Sequence, residues 1–376
     1  MSAPTTPLPR WADYGLLPLI NLVMALIASG LIILAVGENP LEAVQFMLIG
    51  AFGYAEGLGY TLYYTTNFVF TGLAVAVAFH AGLFNIGGEG QAYLGGLGAG
   101  LIILALDRYL PGWLLIPLAM LFACLFGAAW ASVPAYLQAY RGSHIVITTI
   151  MFNFIATALM VYLLVNVLIE PGSMVPRSRE FADSASIPHW HEVLAWFGIA
   201  TAQTPLNLSA LLALAAALFV WIYVWHTRWG YTLRTVGFNE QAAKYAGVDP
   251  RRVIMVTMGL SGGLAGMVGI NEVMGVQHNL LLNFVAGYGF TGIAVALMGR
   301  NHPVGIILAS LLFGVLYQGG AELSFEMPTM TRDMVVTIQG LVILFSGALS
   351  YMARPWLEKA FALLSRPRGA AATEAA

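Results

Sequence analysis

The chain has 376 residues, of which 59% are hydrophobic and only 9% are charged, and its mean hydropathy is +0.79. Soluble domains carry roughly 25% charged residues, so this composition excludes a water-soluble protein and predicts one that crosses a membrane many times. The net charge of −2 argues against nucleic-acid binding. The lone cysteine, Cys124, excludes a disulfide within the chain and argues against a zinc cluster.

Apolar runs of about 20 residues recur along the chain and predict an all-α polytopic membrane protein with about ten transmembrane helices. No small-residue cleavage site follows the first run, so we expect a retained span rather than a signal peptide. Residues 43–52 are too short to cross and predict an interfacial or re-entrant piece. The expected spans are 16–36, 66–86, 91–107, 113–137, 145–169, 207–226, 253–273, 281–299, 303–320 and 335–352.

The stretch GLFNIGGEGQAYLGG, residues 82–96, places Asn85, Glu89 and Gln91 among glycines between the second and third spans. Irregular backbone at membrane depth is tolerated only where protein buries it or where it lines a water-filled cavity. Two interpretations remain open. These side chains either cap a broken helix, with Glu89 at the N-terminus of the third span, or line a pathway suited to neutral, hydroxyl-rich solutes.

The fifth span carries Thr148, Thr149 and Asn153, and the last two share a helix face because they lie four residues apart. Two roles remain open for these side chains. They either form hydrogen bonds between helices, worth about 0.6 kcal/mol on average in membranes, or line a pathway. At the end of the seventh span, we expect Asn271 and Glu272 to be solvated at the outer surface.

Short loops indicate orientation through their lysines and arginines. Loop 227–252 is the most basic and is therefore expected in the cytoplasm, with Arg228, Arg234, Lys244, Arg251 and Arg252. Counting spans from this loop places both termini in the cytoplasm and loop 170–206 outside. The chain then divides into a cytoplasmic N-terminal segment 1–15, a transmembrane domain 16–353 and a cytoplasmic tail 354–376.

Loop 227–252 also contains the signals of a short helix. Asn239 is a good N-cap, EQAAKYA follows it, and Gly247 can end the helix in the left-handed conformation. Ala242 and Ala243 are small enough for another protein to pack closely on them, and so short a helix is marginal alone. A docking surface and a solvated connecting loop are both compatible with these residues.

The segment GLSGG, residues 259–263, matches G-x-S-x-G, so an intramembrane serine protease using Ser261 with His278 or His302 is an alternative. The same segment forms small-xxx-small pairs typical of close helix packing. Packing explains every glycine, whereas the protease explains one. We therefore favour packing.

Two energy sources are disfavoured by what the sequence lacks. Charged residues within the spans are nearly absent, which argues against a proton relay. A P-loop needs Gly-Lys, but Lys244 follows alanine and Lys359 follows glutamate. If ATP is used, another subunit must bind it.

A similar octapeptide occurs in two distant spans. FTGLAVAV at 70–77 recurs as FTGIAVAL at 290–297, with six of eight residues identical. Chance similarity between apolar helices is one explanation. A duplicated helix framework around a central site, as in many transporters, is the other.

Three motifs together resemble bacterial ABC-import permeases. E-x-A-A-x-x-x-G, starting at Glu240, is similar to their coupling-loop signature. FHAGLFNIGGEGQ at 79–91 resembles the N-I-G-x-E-G-Q signature of nucleoside and simple-sugar permeases, and GSHIVITTIMFNFIA at 142–156 resembles their E-V-I-T-T-I-M-L-N signature. His80 and Ile145 depart from these patterns, where arginine and glutamate are expected, and both bear on pathway lining rather than on fold.

The resemblance implies the membrane subunit of an ATP-driven importer in the bacterial cytoplasmic (inner) membrane. Its solute would be a nucleoside, a nucleobase-like compound or a simple sugar; an ion-gradient-driven secondary carrier is the alternative. The implied pathway residues are Asn85, Glu89, Gln91, Thr149 and Asn153, and the implied coupling-loop residues are Arg234, Asn239, Glu240, Ala242, Ala243 and Gly247.

The same resemblance implies several partners. They are a second permease, expected to form a heterodimer, two ATP-binding subunits that carry ATP and magnesium, and an extracytoplasmic binding protein. This chain is expected to bind no cofactor or metal itself. Outer-loop candidates for contact with the binding protein are Arg177, Arg179, Glu180 and Asp183.

Overall fold

The structure is a computed structural model that describes residues 9, 11–345 and 354–364. Regular structure in these residues is helical, apart from two isolated β-bridges, which confirms the all-α prediction. The helices are α1 (Leu17–Val36), α2 (Pro40–Phe52), α3 (Ala55–His80), α4 (Gly88–Leu106), α5 (Gly112–Arg141), α6 (Ile145–Asn166), α7 (Trp190–Trp196), α8 (Ser209–His226), α9 (Arg228–Phe238), α10 (Glu240–Tyr245), α11 (Pro250–Gly266), α12 (Tyr288–Met298), α13 (Pro303–Glu326), α14 (Arg332–Ile343) and α15 (Arg354–Leu364).

Eight helices of the described residues are long and apolar enough to cross a membrane: α1, α3, α4, α5, α6, α8, α11 with its π-helical continuation Ile270–Gln277, and α13. Helices α2 and α12 are apolar but shorter. Of the predicted tenth span, 335–352, residues 346–352 lie outside the described residues. A fold of about ten spans fits this pattern, and the sidedness of the termini stays a prediction.

The second span differs from its prediction. Helix α3 begins at Ala55 rather than at 66 and ends at His80 rather than at 86. Its first turns contain Gly57, Gly59 and Thr61, which lower the apparent hydropathy but are buried. Such residues are common where membrane helices approach closely, so a hydropathy criterion misses them.

The predicted span 281–299 is wrong in its first third. Helix α12 starts only at Tyr288, and the segment before it is irregular, with positive φ angles at His278, Asn283, Ala286 and Gly287. Left-handed backbone conformations interrupt a helix. An apolar sequence of sufficient length therefore forms only a half-length helix here.

The chain divides into two compact units, and the larger one comprises residues 47–322. In its core, α11 packs against α5 and α4 through glycines. A Cβ on Gly262 would collide with the backbone of Gly127, and one on Gly266 with the backbone of Ala123. The structure thus confirms close helix packing for these glycines of α11, although Gly259 has open space beside it.

The smaller unit comprises residues 1–46 and 323–376, and within it α1 packs against α14. The Thr329 hydroxyl donates a hydrogen bond to the Glu38 carboxylate, and the rings of Trp11 and Phe361 are in edge-to-face contact. The predicted tail 354–376 therefore begins as a helix, α15. Residues 365–376 lie outside the described residues.

The two copies of the repeated octapeptide form one helix pair. Thr71 of α3 lies against Gly292 of α12, and Gly72 lies against Val295. The helices run parallel, because the ring of Phe68 meets Tyr288 near one end and His80 Nε2 donates to the Asn301 carbonyl near the other, at 3.0 Å. The repeated small residues allow this close approach.

Candidate functional site

The irregular segment 81–87 leads from the end of α3 into the interior of the larger unit. Asn85 is completely buried and donates to Ser261 Oγ at 2.8 Å and to Gln91 Oε1 at 2.9 Å. Its own oxygen accepts from the Gly87 backbone N–H at 2.9 Å and from Gln91 Nε2 at 3.1 Å. Asn85 and Gln91 therefore satisfy each other and fix the broken backbone.

Asn153 of α6 clamps the same segment from the other side. Its Nδ2 donates to the Ile86 carbonyl and its oxygen accepts from the Gly90 backbone N–H, both at 2.9 Å. Thr149, one turn earlier, donates within its own helix to the Ile145 carbonyl and packs beside Gly87. The predicted shared face of Thr149 and Asn153 thus meets the segment containing Glu89.

Glu89 caps a helix, but a different one from the helix expected. Its two carboxylate oxygens accept from the backbone N–H groups of Gly287 and Gly289, at 2.9 and 2.8 Å. Those groups form the N-terminus of α12, where the helix dipole favours negative charge. Gly289 lies so close to Glu89 that a Cβ there would collide with its backbone.

A cavity of about 260 Å³ opens beside this meeting point of α4 and α12. Glu89 and Asn153 are the two of the five predicted pathway residues that line it. Asn85, Gln91 and Thr149 are buried and do not line it. The lining residues are Glu89, Tyr93, Ile150, Asn153, Phe154, Thr157, Asn283, Ala286, Gly287 and Phe290.

The irregular segment before α12 supplies one wall of this cavity. Tyr93 Oη donates to Asn283 Oδ1 at 3.1 Å and accepts from the Asn283 backbone N–H, while the Tyr93 ring stacks on Phe284. These contacts hold Asn283 in its left-handed conformation. The cavity thus combines a carboxylate, amides and hydroxyls with the aromatic faces of Phe154 and Phe290.

A second buried carboxylate was missed by sequence reasoning. Glu272 and Asn271, expected at the outer surface, are only 2% and 1% exposed. Tyr63 and Asn67 of α3 donate to Glu272, and Asn271 Nδ2 donates to Asn67 Oδ1 at 2.8 Å. The chain continues as a π-helix to Gln277, so residues that hydropathy places at a span end lie inside the protein.

The short helix predicted within loop 227–252 is present as α10, with the predicted cap and terminating glycine. Asn239 Oδ1 accepts from the Ala242 backbone N–H at 3.0 Å, and Gly247 has φ +81°. Glu240 pairs with Lys244 at 2.8 Å along the exposed face of α10. Ala242 is exposed as expected, but Ala243 is completely buried within this chain and is not available to a partner.

Two large aromatic side chains, one just before α10 and one at its last residue, project away from the protein. Phe238 is 92% exposed and Tyr245 is 94% exposed. The preceding helix, α9, carries the half-buried Arg234 and ends against the start of the broken segment: a Cβ on Gly237 would meet the His80 carbonyl. Helix α10 is therefore connected to the backbone that leads to Glu89.

Ser261 does not have the surroundings of a protease nucleophile. Its hydroxyl donates to the Ala74 carbonyl at 2.6 Å and accepts from Asn85. The two candidate bases have other contacts: His278 Nδ1 lies 3.1 Å from Ser186 Oγ, and His302 Nδ1 accepts from the Val304 N–H. Ser261 supports the broken helix instead.

Loop 170–206, which is predicted to lie outside, is fastened by one strong ion pair. Both terminal nitrogens of Arg179 donate to the Asp107 carboxylate at 2.8 Å, and the Ala182 N–H adds a third bond. The Arg179 hydrogen bonds hold the pKa of Asp107 below its ordinary value. Arg177 pairs with Glu170 at 3.2 Å, whereas Glu180 and Asp183 are exposed.

We expect Asp107→Asn to lower the free energy of unfolding by about 2 kcal/mol at pH 7, somewhat less than for fully buried pairs because Arg179 is part-exposed. The folded pKa is depressed, so the stabilisation is present above the unfolded pKa of about 3.9 and is lost as pH falls through the folded value. Thermal unfolding of the purified chain between pH 3 and 8 measures this.

The matched control is Glu170→Gln, which removes the more exposed pair and should cost about 0–1 kcal/mol. Equal losses in the two variants would show that the Asp107 pair does not fasten the loop. A difference between wild type and Asp107→Asn that is undiminished at pH 3 would contradict the electrostatic cause.

Comparison with known proteins gives a consistent group of relatives. Residues 57–347 match the family model for permease components of branched-chain amino acid transport systems. The chain is 35% identical to the glucose ABC transporter permease TsgB13 of Haloferax volcanii, over 91% of this chain and 89% of the relative. No solved structure gave a significant match.

Two further relatives are named for nucleosides. The guanosine ABC transporter permease NupP of Bacillus subtilis is 35% identical over 90% of this chain and 95% of its own length. The nucleoside ABC transporter permease NupB of Lactococcus lactis is 32% identical over 93% of this chain and 94% of its own length. The similarity therefore covers nearly the whole of each protein.

Proposed function

The chain belongs to the family of branched-chain amino acid transport permease components, and from that premise we propose how it moves its solute. It is the permease subunit of an ABC importer and a multi-pass protein of the cytoplasmic membrane. We propose that the cavity between α4 and α12 is part of its translocation pathway. Glu89, which caps α12 and lines that cavity, is the observation that carries the proposal.

The cavity chemistry supports a neutral, polar solute. The Glu89 carboxylate accepts backbone hydrogen bonds from Gly287, Gly289 and Phe290, and an ionised carboxylate has about four acceptor sites in all. Asn153, Asn283 and Thr157 add amide and hydroxyl groups beside aromatic rings. A nucleoside, a nucleobase-like compound or a simple sugar has the matching N–H or O–H donors, and the relatives are named for nucleosides and glucose.

A second permease would complete this pathway. The cavity lies at the surface of the single chain, where Phe154 is 67% exposed and Phe290 is 49% exposed. The lining is mostly apolar, but Glu89, Asn153 and Asn283 also line it, and polar side chains are costly where they face hydrocarbon. We propose a heterodimer whose partner covers this face.

Energy would reach the pathway through α10. One of the two ATP-binding subunits, which carry ATP and magnesium, would dock on this helix, with Phe238 and Tyr245 as anchors. Exposed aromatic residues are typical of interface hot spots. A displacement of α10 is passed to α9, whose end abuts the backbone of residues 80–82. That backbone continues to Asn85 and Glu89, at the cavity.

The binding protein would dock at the outer loop. Of the four residues expected to contact the binding protein, Arg177 and Arg179 form ion pairs within the chain. Glu180 and Asp183 are exposed and keep their carboxylates available to a partner. We therefore expect basic residues on the contacting face of the binding protein.

Affinity purification of the chain from mild-detergent membranes, at native expression, tests the assembly. We expect a P-loop ATPase and a second permease in stoichiometric amounts, and ATP-dependent uptake of nucleosides or glucose once the binding protein is added. Recovery of the chain alone, with uptake driven by an ion gradient, would instead support the secondary carrier. The buried Glu272 is the observation that keeps this alternative, because intramembrane carboxylates occur in ion-coupled carriers.

A further inference from the structure

Helix α15 has the sequence pattern of a membrane-surface helix. In RPWLEKAFALL, the apolar residues Trp356, Leu357 and Phe361 fall on one side at helical spacing, and Arg354, Glu358 and Lys359 fall on the other. Amphipathic helices with aromatic and basic residues so arranged lie in the plane of the bilayer interface. This pattern alone does not distinguish a lipid surface from a protein partner.

A contact within the smaller unit places α15 at the level of the interface. Helix α1 has 20 residues, which is about 30 Å and enough to cross the hydrocarbon core. Trp11 precedes this helix, at the depth where tryptophan is enriched in membrane proteins. The Phe361 ring lies 5.7 Å from the Trp11 ring, so α15 is held beside the end of a transmembrane helix.

The side chains that remain free match a phospholipid surface. Trp356 is 79% exposed, and neither α1 nor any other described element covers it. Lys359 is also exposed, whereas Arg354 is half-buried and pairs with Glu358 at 3.0 Å. The positive-inside prediction places this end of the chain in the cytoplasm. The cytoplasmic leaflet has a negative surface potential because it contains anionic lipids.

We propose that α15 docks on the cytoplasmic leaflet, with Trp356 seated among lipid headgroups and Lys359 directed to the phosphates of anionic phospholipids. The helix then anchors the C-terminal end of the chain at the bilayer surface. Neither the solute nor the coupling surface on α10 enters this inference. It can fail while the importer assignment holds.

The single cysteine makes the test direct. In a Cys124→Ala background, which has no other cysteine, nitroxide labels are placed at Trp356→Cys and, about 100° around the helix, at Pro355→Cys. The full chain is reconstituted in bilayers, and collisions with oxygen, which partitions into lipid, are compared with collisions with a water-soluble nickel chelate. Two reference positions are Leu26→Cys on the exposed face of α1 and Ala242→Cys on exposed α10.

We expect the label at 356 to collide preferentially with oxygen, as at 26, and the label at 355 to collide preferentially with the chelate, as at 242. Adding phosphatidylglycerol to phosphatidylcholine should increase the oxygen preference at 356, and Lys359→Glu should remove that increase. Chelate preference at 356 would overturn the proposal, because α15 would then be solvated or bound to a soluble protein. An unchanged ratio in the two lipid mixtures would overturn the recognition of anionic lipid.

Discussion

Replacing Gly247 by arginine is expected to reduce uptake by at least about tenfold, the equivalent of about 1.4 kcal/mol of lost docking energy, while the chain still inserts. Gly247 comes after Ala246, the C-cap of α10, has φ +81° and has open space where a side chain would start. The arginine would therefore project beside Tyr245, from the surface on which we propose that an ATP-binding subunit docks. Uptake and co-purification of the ATP-binding subunit are the two measurements.

The same substitution at Gly142 separates docking from backbone strain. Gly142, in the turn between α5 and α6, has φ +69° and equally open surroundings. A left-handed non-glycine residue costs about 1–2 kcal/mol at either place. If Gly142→Arg impairs uptake as much as Gly247→Arg does, strain is the cause; if Gly247→Arg transports normally, α10 is not a coupling helix.

Features set by neighbouring residues could be predicted from the sequence. The long apolar helices follow from composition, and the cap at Asn239 and the left-handed Gly247 follow from local turn chemistry. Each of these depends on residues within a few positions of one another. A linear pattern contains all the information that they require.

Features set by distant contacts could not be predicted in this way. The capping interpretation placed Glu89 at the start of its own helix, yet its partners are Gly287 and Gly289, about 200 residues later. Ala243 was expected to be available for docking because its side chain is small, but packing within the chain buries it. The sequence identified the chemical groups and could not identify which surfaces they meet.

The burial of Glu272 shows how an error in the predicted end of a span changes the role expected for a residue. Hydropathy ends the seventh span at 273, whereas the π-helix continues to Gln277. Four more residues place Asn271 and Glu272 inside the protein, against Tyr63 and Asn67 of α3. That network joins α3 to the end of the seventh span, so these two residues hold helices together inside the protein.

Helices α4 and α12, which border the candidate pathway, both begin after an irregular segment. Helix α4 starts after the irregular segment 81–87, and α12 starts after the irregular segment 278–287. The N-termini of both helices meet where Glu89 bonds Gly287 and Gly289. Half-helix N-termini present unpaired N–H groups to a polar solute, and here one carboxylate satisfies them.

We expect Glu89→Ala to reduce uptake by at least about tenfold, which corresponds to about 1.4 kcal/mol, and to lower stability by about 1–2 kcal/mol, as is typical for loss of a helix cap. Alanine leaves the N–H groups of Gly287 and Gly289 without their partner and removes the carboxylate from the cavity. Glu89→Gln keeps one acceptor oxygen but turns an NH₂ group toward the second N–H. Its stability should therefore fall between wild type and Glu89→Ala.

The dependence of uptake on solute concentration distinguishes a cap from a solute contact. If Glu89 also binds solute, both variants should raise KM, and the change should differ between nucleosides and glucose because their donors are placed differently. Glu56→Gln, an exposed carboxylate in the first turn of α3, is the control; it should leave KM unchanged and cost no more than the roughly 0.3–1 kcal/mol of an exposed helix-dipole interaction. Lower stability with an unaltered KM for every solute would limit Glu89 to capping α12, and the pathway assignment of the cavity would then lose its main support.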